Sequence, residues 1–170
     1  QLQGNPKKYQ ALCIGSKNDM ELNMKVMNTN IKQSKLIKLV GVEIDSNLNF
    51  SDHIRSVCKN AAKNVGILNR LRNMLPVEAK LKIFKSVILS TLAYCHTIWH
   101  HCKASDQRKL ERLQERGLRA FYCNRTSDYE TLLKQATLST LYNRRLQDIV
   151  ILVFKVKNNL CPSYISDLFQ

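Results

Sequence analysis

The chain has 170 residues, enough for one domain or two small ones, and its 27 Lys and Arg against 13 Asp and Glu give a net charge of +14. A hydrophobic fraction of 44% excludes disorder throughout, and the 5 Gly and 3 Pro exclude collagen-like and low-complexity chains. The basic excess excludes an acidic activation segment. It predicts a phosphate-bearing partner, nucleic acid or a membrane surface; the alternative is a basic surface that binds nothing.

Residues 1–46 are predicted to form a small β region. Strands are expected at Tyr9 to Ile14 and at Glu21 to Val26, where polar and apolar residues alternate. Turn-forming residues follow at 28–30. A later apolar run, Leu36 to Ile44, is broken by Gly41, which is typical of a bulge or of a close approach of backbone. Together these segments predict an antiparallel hairpin or a three-stranded sheet.

From Ser51 onward the hydrophobic pattern is helical. Start and stop signals predict five helices. The first three cover residues 51–75, 76–101 and 105–122. The fourth is short and begins at a capping box at 127–130, and the fifth runs from 139 or 140 to 158. Residues 51–122 are assigned to one helical region and residues 127–170 to a C-terminal one. The predicted fold class is α+β, a small N-terminal antiparallel β hairpin or sheet followed by a mainly α-helical bundle of about five helices.

The first predicted helix separates apolar and basic residues onto opposite faces. At 100° per residue, a sector of about 140° holds eight apolar side chains: Ile54, Val57, Cys58, Ala61, Val65, Leu68, Leu71 and Leu75. A sector of about 80° on the other side, about 22 Å long, carries Arg55, Lys59, Lys63 and Arg70. Like charges at this spacing repel, so the face favours an anionic ligand. A simply solvated face is the alternative.

Further basic residues extend this set. Eight lie between positions 53 and 85 against the single acid Glu78, and those beyond the first face are Arg72, Lys80, Lys82 and Lys85. The eight are predicted as the main nucleic-acid contacts. Secondary basic residues, partly compensated by Glu111 and Glu115, are predicted at Arg108, Arg112, Arg116, Arg144 and Arg145.

Groups for catalysis or metal binding are sparse. No two acids are adjacent in the chain, and Glu43 with Asp45 is more simply a solvated strand edge than a cation site. The densest cluster of ligand-type residues is Cys95, His96, His100, His101 and Cys102. Its spacing matches no common zinc module, so core cysteines and helix-end histidines are the favoured interpretation, as core packing is for Trp99 and Tyr94. No metal or cofactor is assigned to this chain.

Cysteine usage and hydropathy predict a cellular setting. The six cysteines are scattered, which favours free thiols in a reducing compartment over a disulfide framework. The chain opens without a signal-peptide pattern, and the apolar stretch from Ile83 to Trp99 is interrupted before it reaches the roughly 18 residues of a membrane span. We expect an intracellular protein without a membrane partner. The missing initiator Met favours a piece of something longer.

Short motifs follow one another in a recognisable order. Asn5-Pro6-Lys7-Lys8-Tyr9-Gln10 is followed by Leu39-Val40-Gly41-Val42-Glu43-Ile44-Asp45, then Leu48, Phe50 and His53-Ile54. Later come Ser90, Tyr94-Cys95, Trp99, Leu113-Gln114-Glu115-Arg116, Tyr129-Glu130-Thr131-Leu132-Leu133, Arg144-Arg145-Leu146 and Asn158-Asn159-Leu160-Cys161-Pro162. This series resembles the C-terminal part of reverse transcriptases from LINE-type (non-LTR) retrotransposons of the jockey/CR1-like kind. His96 and Val40 depart from the family pattern, which has Pro and Leu there.

The resemblance implies a role for each region. Residues 1–15 are similar to the last palm motif, and Lys8 matches the lysine that lies near the incoming nucleotide and helps the departing pyrophosphate as a proton donor. Residues 20–46 are similar to the hairpin that grips the primer end. The region from residue 51 is similar to the thumb, which holds the template–primer duplex. The catalytic aspartates and their Mg²⁺ would belong to an upstream palm, outside this chain.

Three hypotheses follow. The first is a thumb and connection fragment of an RNA-directed DNA polymerase, inactive alone, which grips RNA or an RNA–DNA hybrid or duplex DNA beside the parent palm and fingers, in the cytoplasm and nucleus. The second is a free-standing basic helical interaction protein, a domesticated element fragment that binds nucleic acid, a protein partner or a membrane. The third is a zinc-binding module at Cys95 to Cys102.

Overall fold

The computed structural model describes residues 5, 8–15, 23–26 and 29–169. The chain forms two compact units, Gln1–Arg55 and Ser56–Gln170, with the boundary inside the first long helix. The first unit contains β hairpins and the second contains helices, so the predicted α+β class is confirmed. The predicted palm residues Pro6 and Lys7, the strand start at 21–22 and the turn residue Asn28 lie outside the described residues.

The first unit contains two separate antiparallel hairpins. Strand β1 (Met24–Val26) pairs with β2 (Thr29–Ile31), and β3 (Leu36–Leu39) pairs with β4 (Val42–Asp45). Thr29 and Asn30, predicted as turn residues, therefore begin a strand. The strand predicted at Tyr9 to Ile14 is not formed, and this segment contributes only an isolated parallel bridge between Ala11 and Gln33.

The prediction of a bulge at Gly41 is wrong, because Gly41 closes a hairpin. Val40 and Gly41 connect β3 to β4, with φ angles of 47° and 83°. A two-residue connection with both φ angles positive matches the right-handed twist of the flanking strands. Glycine adopts this conformation without strain, whereas valine is disfavoured there. The apolar run from Leu36 to Ile44 is thus two paired strands.

Asp45 organises the segment that leads from the second hairpin into the first helix. Its carboxylate accepts hydrogen bonds from the backbone N–H groups of Asn47, Asn49 and Phe50, at 3.0, 3.1 and 2.7 Å. A side chain that satisfies three loop donors is a local structural device. This geometry gives Asp45 a structural role.

Helices form the second unit. They are α1 (Ser51–Leu71), α2 (Val77–Ile83), a π-helix (Phe84–Leu89), α3 (Ser90–Ala93), α4 (Ala104–Tyr122), α5 (Tyr129–Ala136), α6 (Leu141–Lys157), α7 (Ser163–Ser166) and a 3₁₀ turn (Asp167–Phe169). The five predicted helices are present, and α7 is an unpredicted addition after Pro162. Helix α1 ends at Leu71, before the predicted Leu75.

The second predicted helix differs most from its prediction. It was expected to run to His101, but it widens into the π-helix and ends at Ala93. Tyr94 is extended (ψ 120°) and Cys95 is left-handed (φ 49°), which stops the helix. Hydroxyl groups bond back to helix carbonyls in this stretch, Ser86 to Lys82 and Thr91 to Val87, both at 2.6 Å. Such bonds compete with the regular backbone ladder.

The starts of α5 and α6 show how caps place helices. Asp128, not the predicted Ser127 and Glu130 box, caps α5, because its carboxylate accepts from the Thr131 N–H at 3.3 Å. Thr140 caps α6 by accepting from the Asn143 N–H at 3.1 Å, which decides between the two predicted starts, Ser139 and Thr140. Each bond satisfies one backbone donor that the first helical turn leaves open.

Close packing of the π-helix against α4 lies at the centre of the helical unit. Phe84 is fully buried, and its ring stacks on Phe121 with centroids 6.4 Å apart. A Cβ added at Gly117 would lie 2.8 Å from Cε2 of Phe84 and 3.6 Å from Cγ2 of Ile88. Only glycine therefore allows α4 to approach this closely. Other fully buried residues of the helical unit are Ile88, Leu92, Trp99, Leu110, Leu118 and Leu132.

Two glycine substitutions should have opposite effects on stability. At Gly117, alanine forces Phe84 to move, and overpacking costs about 1–3 kcal/mol, more than the roughly 1 kcal/mol of helix propensity gained. At Gly66 in α1 an added Cβ meets nothing within 4 Å, so Gly66→Ala should stabilise by up to about 1 kcal/mol. Denaturant unfolding measures both. If both substitutions changed the free energy of unfolding by the same amount in the same direction, the close packing described at Gly117 would be contradicted.

Stability should also depend on pH through His53. This residue is 3% exposed, its Nδ1 accepts the Glu43 N–H at 3.3 Å, and burial lowers its pKa below the ordinary 6.5, with Lys38 acting in the same direction and Glu43 against it. Because the unfolded chain takes up this proton more readily, the free energy of unfolding should fall as pH drops below about 6.5. In His53→Gln this component should disappear, while the exposed His101→Gln should keep it.

Candidate nucleic-acid interface

The basic face of α1 is presented to solvent as predicted. Arg55, Lys59, Lys63 and Arg70 are all exposed, while Val57, Ala61, Val65 and Leu68 are buried on the opposite side of the helix. Arg55 pairs with Asp52 at 2.6 Å, but the two side chains are 77% and 49% exposed, so this ion pair holds little energy. The face is a row of four cations along about 22 Å of helix.

The remaining residues of the main predicted set divide by exposure. Lys82 and Lys85 are exposed, and Arg72 is half-buried in the turn after α1, where its Nη1 donates to Asn69 Oδ1 at 2.7 Å. Lys80 is only 7% exposed, with its Nζ 3.7 Å from Cys123 Sγ. Its assignment to the interface is corrected, because Lys80 lies on the face of α2 that packs toward α4.

The secondary basic residues also divide. Arg108, Arg112 and Arg116 are exposed along α4, and Arg144 is half-buried. Arg145 is fully buried, with its Cζ 5.5 Å from the centroid of the Trp99 ring, and burial lowers its pKa. Arg145 is therefore a core residue and not an interface residue. It follows Leu141 by four positions, and that spacing places both on the inner side of α6.

Helix α4 has three acids, Asp106, Glu111 and Glu115, and Asp106 pairs with Lys109 at 2.6 Å. Glu111 accepts from the Tyr129 hydroxyl at 2.7 Å and from the Tyr142 N–H at 2.9 Å, and thereby connects α4 to the starts of α5 and α6. Burial, together with this bond to Glu111, raises the pKa of the Tyr129 hydroxyl well above its ordinary value. Glu115 pairs with Arg119 at 2.7 Å. The acids of α4 are thus engaged by structural partners.

Two histidines of the cysteine and histidine cluster contact residues of α6. Residues 94–101 form turns, so His96 and His100 do not share a helix face as predicted. His96 Nε2 lies 2.6 Å from Asp148 Oδ2, and the His100 ring stacks on Tyr142. In the described part of the chain, no group of three or more His, Cys, Asp or Glu is placed to hold a metal.

Trp99, beside this cluster, is a core residue as predicted. It is fully buried, and its Nε1 donates to the Tyr94 carbonyl at 3.1 Å. Tyr94 itself is 47% exposed, so the expected core packing does not include its ring. The six cysteines are all free thiols.

A pocket lined by arginines was missed by the sequence reasoning. We call this cavity of about 220 Å³ the arginine pocket. Its lining includes Gly66, Asn69, Arg72, Arg116, Arg119 and Arg125. Arg72 and Arg116 were among the predicted contacts, but Arg119 and Arg125 were not. Arg119 and Arg125 lie about 50 residues after the end of α1 in the sequence, and no local pattern predicts a contact over that separation.

Lys8, the position matched to the palm lysine, is exposed at the start of the first unit. Its backbone N–H donates to the Asn5 carbonyl at 3.0 Å. The role assigned to its amine stays a prediction.

Comparison of the chain with protein-family models, curated proteins and solved structures finds no match. None of the helices in the described residues combines the length and apolar composition needed to cross a bilayer.

Replacing Glu111 should test its bridging role. In Glu111→Gln only one side-chain oxygen remains to accept and both bonds lose their charge assistance, so the variant should lose about 0.5–1.5 kcal/mol of stability. Glu78→Gln, at an exposed acid of α2, should have a much smaller effect and serves as the control. Thermal or denaturant unfolding measures the difference, and equal effects would contradict the bridge.

Proposed function

We propose that this chain is a thumb and connection fragment of an RNA-directed DNA polymerase of a non-LTR retrotransposon, which grips a template–primer duplex without reading its sequence. The observation that carries the proposal is the exposed basic face of α1. Four cations on this face are opposed by one exposed acid, Asp52. The resemblance of the chain's motifs to this family supplies the identity of the parent enzyme.

The geometry of this face suits phosphate more than bases. Lys and Arg on an exposed helix can each contact a backbone phosphate, and such contacts position a duplex without specifying its sequence. Neutralisation also removes the repulsion between cations four residues apart, Arg55 with Lys59 and Lys59 with Lys63. The partners are RNA, an RNA–DNA hybrid or duplex DNA, together with the parent's palm and fingers.

Catalysis belongs to the parent enzyme in this proposal. The palm that precedes the thumb would hold two Mg²⁺ ions and perform nucleotide transfer. This chain would hold the duplex, and Lys8 would act only beside that palm. The setting is intracellular, in the cytoplasm and nucleus, where the parent meets its RNA and its DNA target.

The salt dependence of duplex binding tests the α1 face. The logarithm of affinity for an RNA–DNA hybrid should fall steeply with the logarithm of salt concentration, by about 0.9 per neutralised phosphate if the B-DNA value applies. A triple variant, Arg55→Gln with Lys59→Gln and Lys63→Gln, should reduce this slope by up to about 2.7. Fluorescence anisotropy over a salt series, with hybrid and duplex DNA, measures it.

The matched control removes the same charge from another surface. Lys134, Lys155 and Lys157 are exposed and lie outside every predicted contact set. Their triple change to Gln should leave the slope close to that of the unmodified chain. An α1 triple variant with an unchanged slope would overturn the proposed face, and equal reductions in both variants would show a diffuse charge effect.

The second candidate is a free-standing interaction protein with a protein partner. It is favoured by exposed apolar side chains on α6, among them Val150 at 65% and Phe154 at 59% exposure. Apolar groups exposed in this way are typical of surfaces that are covered in an assembly. If the chain binds neither hybrid nor duplex at low salt, this candidate replaces the first.

A further inference from the structure

The arginine pocket lies where two helices end. Its floor and sides come from the last two turns of α1 with the turn that follows, from the last turns of α4, and from the loop after α4. Three separate segments thus bring Arg72, Arg116, Arg119 and Arg125 to one cavity. Four like charges in one place cost free energy unless something offsets them.

Two of the four guanidinium groups are held by protein acceptors. Arg119 donates through Nε and Nη2 to Glu115 at 3.1 and 2.7 Å, and through Nη1 to the Arg125 carbonyl at 2.9 Å. Arg72 donates to Asn69. Within the described residues, the guanidinium groups of Arg116 and Arg125 have no acceptor. The two held arginines fix part of the positive charge of the pocket, and the two with open donors are available to an anion.

The pocket is also open at its floor. Gly66 lines it, and an added Cβ there would meet nothing within 4 Å. Pockets for whole drug-sized ligands measure about 300–1,000 Å³, and this one measures about 220 Å³. The space therefore suits a single phosphate group and not a complete nucleotide.

The charge balance distinguishes between kinds of phosphate. The four arginines are opposed by Glu115, and the C-terminal ends of α1 and α4 each add about half a negative charge. About two positive charges remain. A backbone phosphodiester brings one negative charge, whereas a phosphate monoester brings about 1.5 to 2 at neutral pH. The monoester matches the excess, and the diester leaves part of it uncompensated.

We propose that the arginine pocket binds the terminal phosphate of a nucleic-acid strand. The proposal rests on the proposed function, because the strand is supplied by a duplex held along the basic face of α1. Arg70, the last cation of that face, is two residues before Arg72 of the pocket. A strand that follows the face toward the end of α1 therefore approaches the pocket, where its phosphorylated end is held.

Oligonucleotides that differ only at their ends test this inference. One duplex sequence is prepared with a 5′-hydroxyl, a 5′-phosphate or a 3′-phosphate, and its affinity for the full chain is measured by anisotropy at fixed salt. We expect about tenfold tighter binding when one kind of end carries phosphate, the effect of one or two charge-assisted hydrogen bonds. Inorganic phosphate should compete only weakly.

Matched variants locate the effect. Arg116→Gln with Arg125→Gln should abolish the preference for the phosphorylated end. Arg108→Gln with Arg112→Gln removes the same charge from α4 outside the pocket, so it should weaken all three duplexes alike and keep the ratio. Gly66→Glu should also abolish the preference by placing a carboxylate in the pocket, whereas Gly66→Ala should retain it.

Three outcomes would overturn the inference. Equal affinity for all three ends, with the salt slope of the α1 face intact, removes the terminal-phosphate site and leaves the proposed function standing. Inorganic phosphate that competes as strongly as the phosphorylated duplex assigns the pocket to free phosphate. Absence of binding to every duplex overturns the proposed function and this inference together.

Discussion

The helical unit depends on the absence of a side chain at Gly117. This glycine lets the ring of Phe84 lie directly on the backbone of α4, in a fully buried position that also stacks on Phe121. Any side chain there would force the π-helix and α4 apart, and a packed core transmits such a displacement. Because Arg116 and Arg119 flank Gly117 on the same helix, the contact that fixes α4 in the core also fixes the arginines at its surface.

Charge is distributed unevenly over the helices. On α4, Glu111 accepts one backbone and one side-chain hydrogen bond, and Glu115 pairs with Arg119. Part of the positive charge of α4 is therefore compensated by its own acids. On α1 the single ion pair is exposed and weak. The positive charge is therefore less compensated along α1 and at its C-terminal end than along α4. A polyanion would gain more binding free energy at these places than along α4.

Periodicity predicted well what a single helix determines. The buried and exposed faces of α1 and the extent of α4 follow from local spacing, whereas the start of α6 is predicted only as Ser139 or Thr140. The hairpin turn at Val40 and Gly41 was missed because valine is unusual at positive φ. The end of α3 was missed because Tyr94 and Cys95 are not helix breakers by type. Lys80 and Arg145 are buried by partners distant in sequence, and the arginine pocket likewise joins α1 to the end of α4, which no local pattern encodes.

The π-helix has a consequence for aligning this chain with others. A π turn holds one residue more than the α turn it replaces. A homologous chain one residue shorter here would continue as a regular α-helix, with the residues on either side unchanged in phase. The gap in such an alignment belongs within Phe84–Leu89, and a gap placed before Phe84 would pair the wrong residue with this buried aromatic ring. The alignment is in the correct register when a small residue stands at the position of Gly117 and an aromatic residue at the position of Phe84.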